Sequence, residues 1–250
     1  MAAKDKPVPW NPWGGVSFVL VVFYAAQLAA GLLLWVYPLL RRWPAGQTDT
    51  WFNTVPAQFV FILLAETLTV GAIYWFLRCR GLGLSAIGLK KPRWIDAGYA
   101  LAAVVPYYVL YILTVGVASS LDKGLNVNQQ QQLGFNHVQG GPALVMTFIS
   151  LVILPPLAEE IMVRGFLYSS LKKAMRMRYA VILTSALFAA AHLPEGGTAG
   201  PLYIAALDTF VLSLVLIYLR EKTGSLWASI GLHAIKNGIA FVALFVINAH

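Results

Sequence analysis

Charged side chains are scarce in this chain, and the scarcity excludes a soluble domain. Lys, Arg, Asp and Glu make up 11% of its 250 residues against 59% hydrophobic residues, where soluble domains carry about 25% charge. With a mean hydropathy of +0.70, the composition is that of an integral membrane protein. Cysteine is nearly absent. Cys79 stands alone, which rules out an internal disulfide and a thiolate metal site and leaves the role of a buried or interfacial free thiol. No internal repeat is evident, so the inverted-repeat plan of many transporters gains no support. The net charge is +8, but the basic residues fall between apolar runs rather than in one patch. That pattern points to topology control and to anionic lipid headgroups, not to nucleic acid.

What the chain has in abundance is apolar runs long enough to cross hydrocarbon, which takes about 20 residues. Seven segments qualify or nearly qualify: 16–40, 55–77, 97–118, 142–167, 179–193, 200–219 and 226–247. The fifth is short, and the break after it, Pro194-Glu195-Gly196-Gly197, allows a re-entrant turn. The expected fold is therefore an all-α polytopic membrane bundle of about seven transmembrane helices, eight at most, around a buried polar cavity. Its length suits one integrated bundle, with N-terminal helices and an interfacial segment over 1–141 and core helices over 142–250. The first run is too long for the h-region of a cleaved signal peptide and reads as an uncleaved anchor. Trp10, Trp13, Trp43, Trp51 and Trp94 lie just outside spans, where aromatic belts form. The basic, Leu-rich stretch 81–94 is expected along the interface.

The loops alternate in charge. One side holds Lys4, Lys6, Arg78, Arg80, Lys90, Lys91, Arg93, Lys172, Lys173, Arg176, Arg178, Arg220 and Lys222, and the other only Arg41, Arg42 and Lys123. Thirteen against three sets the N-terminus in the cytoplasm and the C-terminus outside. The outer loop carries Gln129 to Gln132, read as a polar tether.

Against this apolar background, Glu159 and Glu160 stand at the end of the run 144–157. A carboxylate in hydrocarbon costs roughly 2.5–3.5 kcal/mol on insertion scales, so something nearby uses or neutralises the pair. Arg164 lies four residues after Glu160, on the same helix face and in the favourable order for an ion pair. Glu159 points about 100° away from that face. The spacing suggests a division of labour: one carboxylate clamped by Arg164, the other a candidate general base. A purely structural clamp between helices is the competing reading. Pro155-Pro156, just upstream, frees backbone carbonyls and suits a cavity wall. His192 follows three alanines, with Phe188 four residues back on its face. His233 and Asn237 are again four apart, where an imidazole and an amide can donate to one acceptor, the geometry of an oxyanion hole. Either group serves equally as interhelical hydrogen bonding.

Depth joins these clues. The basic turn 172–178 reverses the chain, and Glu159 and His192 lie at nearly equal distances from its centre. At 1.5 Å per residue both sit ~16–18 Å into the hydrocarbon, and His233 and Asn237 ~12–18 Å. One mid-membrane layer holds all four. Glu66, Asp208 and Lys236 also fall inside spans but without a surrounding motif; Lys236 is set to pair with Asp208 or with one of the glutamates.

These residues resemble a known family. Glu-Glu-x-x-x-Arg at 159–164, Phe-x-x-x-His at 188–192 and His-x-x-x-Asn at 233–237, in that order on successive helices, are similar to the motifs of the CPBP family. Those are the CAAX-protease and bacteriocin-processing (Abi) intramembrane endopeptidases. The flanking Arg164-Gly165-Phe166-Leu167, Gly224-Ser225-Leu226-Trp227 and the upstream Leu84 to Leu89 fit the same resemblance. It covers about the last 110 residues.

The resemblance implies peptide-bond hydrolysis by water rather than by a covalent nucleophile. Glu159 with His192 would activate the water, His233 with Asn237 would hold the oxyanion, and Glu160 with Arg164 would support them. It leaves metal open. Two histidines and a glutamate (Glu159, His192, His233) are plausible zinc ligands, but Asn237 is a poor one, and a metal-free glutamic mechanism is favoured. The expected partners are a peptide or protein substrate at the membrane and the bilayer itself, in a prokaryotic plasma (inner) membrane. A non-catalytic scaffold or immunity-type binding protein, and an ion or proton transporter, are the alternatives from other classes. No motif specifies the substrate.

Overall fold

The structure is a computed structural model that describes residues 8–127, 129, 134–135, 138–194 and 200–247. Helices account for the regular structure throughout these residues, and no strand occurs among them. In chain order they are α1 (Pro12–Arg41), α2 (Ala45–Phe52), α3 (Val55–Arg78), α4 (Trp94–Leu121), α5 (Gly141–Ala174), α6 (Met177–Ala191), α7 (Tyr203–Thr223) and α8 (Trp227–Ile247). Six of these, all but α2 and α6, are long and apolar enough to cross a membrane. The chain is thus a polytopic helical membrane protein. The fifth expected span is α6, with 15 residues. At 1.5 Å per residue it reaches about 22 Å, short of the ~30 Å hydrocarbon core. His192 is its C-cap residue. The proposed re-entrant break falls largely on 195–197, outside the described residues, as do Lys4 and Lys6.

α5 is the central element. It packs on α1 and α3 on one side and on α6 and α8 on the other, while α4, α7 and α8 form a second packed group. Ile161, Val163, Phe166 and Leu171 of α5 meet Ile73 and Leu77 of α3 and Phe188 of α6 in one core. Tyr107 of α4, Leu212 and Leu216 of α7 and Leu232 of α8 form the other. Lipid-facing Leu, Val and aromatic side chains of α1 and α4 remain exposed, as a bilayer solvent allows.

α5 is not a regular α-helix. Residues Ile149–Ile153 and Glu160–Leu167 are π-helical, flanking an α-helical stretch at Leu154–Glu159. Each π segment widens the turn and re-aims the residues beyond it, and such bulges concentrate at functional sites.

The stretch between α3 and α4 docks beneath the α7–α8 turn. Gly88 O accepts from Leu226 N at 3.0 Å, Lys90 O from Trp227 Nε1 at 2.5 Å, and Thr223 O from Arg93 Nη2 at 3.0 Å. Gly88 has φ +97°, a conformation that favours glycine, and a Cβ there would lie 2.5 Å from Arg220 Cζ, so the guanidinium would have to shift for a larger residue. Trp10 departs from the aromatic-belt expectation. It is 4% exposed, stacks on Phe166 with ring centres 4.7 Å apart, and donates to Ser170 Oγ at 2.9 Å. The segment before α1 folds back under α5 and carries the ring into the core. Trp94, at 94% exposure, keeps a surface position. Cys79 is exposed at the end of α3 rather than buried. Gln129 braces the start of α7, donating to Pro201 O at 3.0 Å and accepting from Ile204 N at 3.2 Å; Gln130 to Gln132 lie outside the described residues.

Candidate active site

A cavity of about 270 Å³ opens between α3, α5, α6, α7 and α8. Glu159, His192, His233 and Asn237 all line it, so three distant stretches of chain converge on one space. Glu160 and Arg164 do not line it. They lie behind the wall, each 0% exposed, with Arg164 Nη1 donating to Glu160 Oε1 at 2.8 Å. The i, i+4 spacing makes this pair within one helix. Glu159, one position earlier, is turned to the cavity with its side chain 22% exposed.

Glu160 does more than hold Arg164. Its Oε1 also lies 3.0 Å from His233 Nδ1. A carboxylate at that nitrogen sets the tautomer: Nδ1 carries a proton and donates it to Glu160, leaving Nε2 for the cavity side. Nε2 is 3.9 Å from Glu159 Oε2, a separation that a single water bridges. Arg164, Glu160, His233 and Glu159 thus form a line from the sealed core to the cavity. The spacing of residues showed its first link only; the contact between Glu160 and His233 crosses 73 positions.

His192 is oriented differently. Its Nδ1 lies 2.8 Å from Phe188 O, one helical turn back, so Nδ1 donates and the lone pair of the neutral ring is on Nε2. Phe188 is the common floor. Its ring meets His192 edge-on at 4.8 Å and His233 at 6.2 Å, and the Arg164 guanidinium lies 4.2 Å from its centre. Asn237 Nδ2 donates to Leu151 O at 2.9 Å. The expectation that His233 and Asn237 offer their hydrogens side by side to one acceptor is therefore modified. Each has one N–H already given to a protein acceptor, and only the other edge of each group is left for a ligand.

Three ionisable residues that lacked a motif line the same cavity: Glu66, Asp208 and Lys236. Lys236 pairs with Asp208 at 3.0 Å, not with a glutamate, and Tyr107 OH donates to Asp208 Oδ1. Their burial inside apolar spans was the available signal.

A structural zinc ion needs nitrogen or oxygen ligands at about 2.0–2.2 Å. Among the described residues no group of three or more His, Cys, Asp or Glu side chains is placed to hold a metal ion. Glu159 and His233 approach each other, but no third such side chain completes the set. As placed, these residues do not fit a zinc centre.

No curated protein and no solved structure matches the chain. Residues 141–239 match the family model described as type II CAAX prenyl endopeptidase Rce1-like. That interval runs from the start of α5 into α8 and contains Glu159, Glu160, Arg164, His192, His233 and Asn237. Over these residues the chain is similar to the CPBP, or CAAX-protease, family, and the match supports a protease role at the membrane.

Proposed function

We propose that the protein is a metal-free intramembrane glutamic endopeptidase that cuts a peptide bond of a membrane-associated protein or peptide. The observation that carries this reading is the convergence of Glu159, His192, His233 and Asn237 on one cavity behind which Glu160 and Arg164 are sealed. A cavity of about 270 Å³ has room for a handful of waters at ~30 Å³ each. A substrate must then enter as an extended segment, not as a folded domain.

In the proposed reaction Glu159 and His192 orient a water and Glu159 takes its proton as the oxygen attacks the scissile carbonyl carbon. The carbonyl oxygen becomes an oxyanion, which accepts from Asn237 and from His233 Nε2. His233 donates there when its ring carries both protons, and the Glu160 carboxylate at Nδ1 is the counter-ion for that state. The C–N bond then breaks as Glu159 returns its proton to the departing amine. The products are a carboxyl and an amino terminus, so water is the only co-reactant. The charge asymmetry of the loops supports a cytoplasmic N-terminus in a prokaryotic plasma membrane, and an outer C-terminus follows where α6 and the residues after it together complete a seventh crossing.

The test uses the protein in proteoliposomes with two quenched fluorescent peptides that share a Cys-aliphatic-aliphatic-X end, one prenylated at the cysteine and one not. Cleavage of either supports the endopeptidase reading, and cleavage of the first alone adds the prenyl group to the substrate. If neither is cut, and membrane proteins from cells with wild-type or Glu159→Gln enzyme show the same peptide termini, the reading fails. Chelators are expected to leave the rate unchanged, and loss of activity restored by added zinc would overturn the metal-free mechanism. Asn237→Ala is expected to lower kcat by about 10²–10³-fold, the scale of one oxyanion donor, with KM little changed.

A further inference from the structure

The hydrogen bond from Asn237 to Leu151 has a cause in the sequence of α5. In a helix the carbonyl of residue 151 is served by the N–H of residue 154, 155 or 156, for 3₁₀, α or π bonding respectively. Residues 155 and 156 are prolines and have no N–H. The N–H of Leu154 is already given to Ile149 O, the π-type bond of the segment Ile149–Ile153. All three helical donors to Leu151 O are thereby removed. A carbonyl left without a donor at membrane depth costs free energy, and Asn237 Nδ2 supplies the missing bond at 2.9 Å from the neighbouring helix. Only the NH₂ end of the amide can face a carbonyl, so this contact also fixes which way the side chain is turned.

We infer that Pro155 and Pro156 are positioning residues for the site: by stripping Leu151 O of its helical donors they make it the anchor that orients the Asn237 amide and turns its second N–H hydrogen toward the cavity. The inference rests on the reading of Asn237 as an oxyanion donor, but its structural half stands apart from that reading. An amide tethered by one hydrogen has its other hydrogen held in a fixed plane, which is the preorganisation that oxyanion stabilisation needs.

The experiment is a double-mutant cycle between Asn237→Ala and the paired change Pro155→Ala/Pro156→Ala. The paired change restores two backbone donors in α5 and should not harm helix formation; Pro155→Ala alone is the substitute if the pair does not fold. In the wild-type background Asn237→Ala leaves the Leu151 carbonyl without a protein donor and should lower Tm by on the order of 2–6 °C. With residues 155 and 156 changed to alanine, Leu151 O has a helical donor and the same Asn237→Ala change should lower Tm by less than half as much. Equal losses in both backgrounds overturn the inference, whether or not the protein cuts the reporter peptides. On a cleaved reporter, Pro155→Ala/Pro156→Ala should reduce kcat by about 10–100-fold with KM unchanged, the cost of a small misplacement. Asn237→Ala should then add little to that loss. Wild-type kcat in the paired variant would refute the positioning role while leaving the endopeptidase reading standing.

Discussion

Glu159→Gln should abolish cleavage while leaving the protein as stable as the wild type. The amide has the shape of the carboxylate but cannot take a proton from water, and losing a general base costs about 10²–10⁴-fold in rate. Stability should survive because Glu159 is not part of the sealed pair: it faces the cavity with its side chain 22% exposed. Removing a charge from an apolar span relieves a cost rather than adding one, so Tm should hold or rise slightly. The two measurements belong together, since a non-catalytic scaffold would show the reverse pattern, with motif variants losing abundance and no substrate processing to lose. A well-folded Glu159→Gln protein that cuts the reporter at the wild-type rate would remove Glu159 from the mechanism.

The parts of the site readable from sequence were those with local geometry. Hydrophobic length gave six of the seven expected spans, because the bilayer sets helix length. The four-residue spacing of Glu160 and Arg164 gave their ion pair, and the mirrored distances of Glu159 and His192 from the basic turn gave their common depth. What stayed hidden depends on how helices meet. The contact of Glu160 with His233 and the tie of Asn237 to Leu151 join residues far apart in the chain, and nothing local records them; for Lys236 the sequence left Asp208 and the glutamates as rival partners, and helix packing selects Asp208. The π segments of α5 were foreshadowed only by Pro155-Pro156. Trp10 looked like an interfacial anchor because its burial depends on the segment before α1 folding back under α5. Glu66 gave the single clue of a charge in an apolar run, and only the packing of α3 against α5 brings it to the cavity wall.

Arg164→Met should be the most destabilising single change in the site, and adding Glu160→Gln should restore stability without restoring activity. Both side chains are 0% exposed. Breaking such a pair leaves one buried charge uncompensated, at about 3–5 kcal/mol, which for a chain of this size lowers Tm by on the order of 10 °C. Removing the second charge takes away that penalty, since a buried pair replaced by neutral groups of similar volume is often no less stable. Methionine also keeps volume over the Phe188 ring, where the guanidinium now lies. Activity follows a different logic. His233 Nδ1 sits 3.0 Å from Glu160 Oε1, and a neutral glutamine there cannot act as counter-ion to a doubly protonated ring. The double variant should remain 10–100-fold slower than wild type, the scale for losing a partner that orients a histidine. Tm and kcat measured on the same preparations separate the two roles of Glu160. A double variant as unstable as Arg164→Met would show that charge compensation is not what the pair supplies, and one with wild-type kcat would show that the Glu160–His233 contact plays no part in the chemistry.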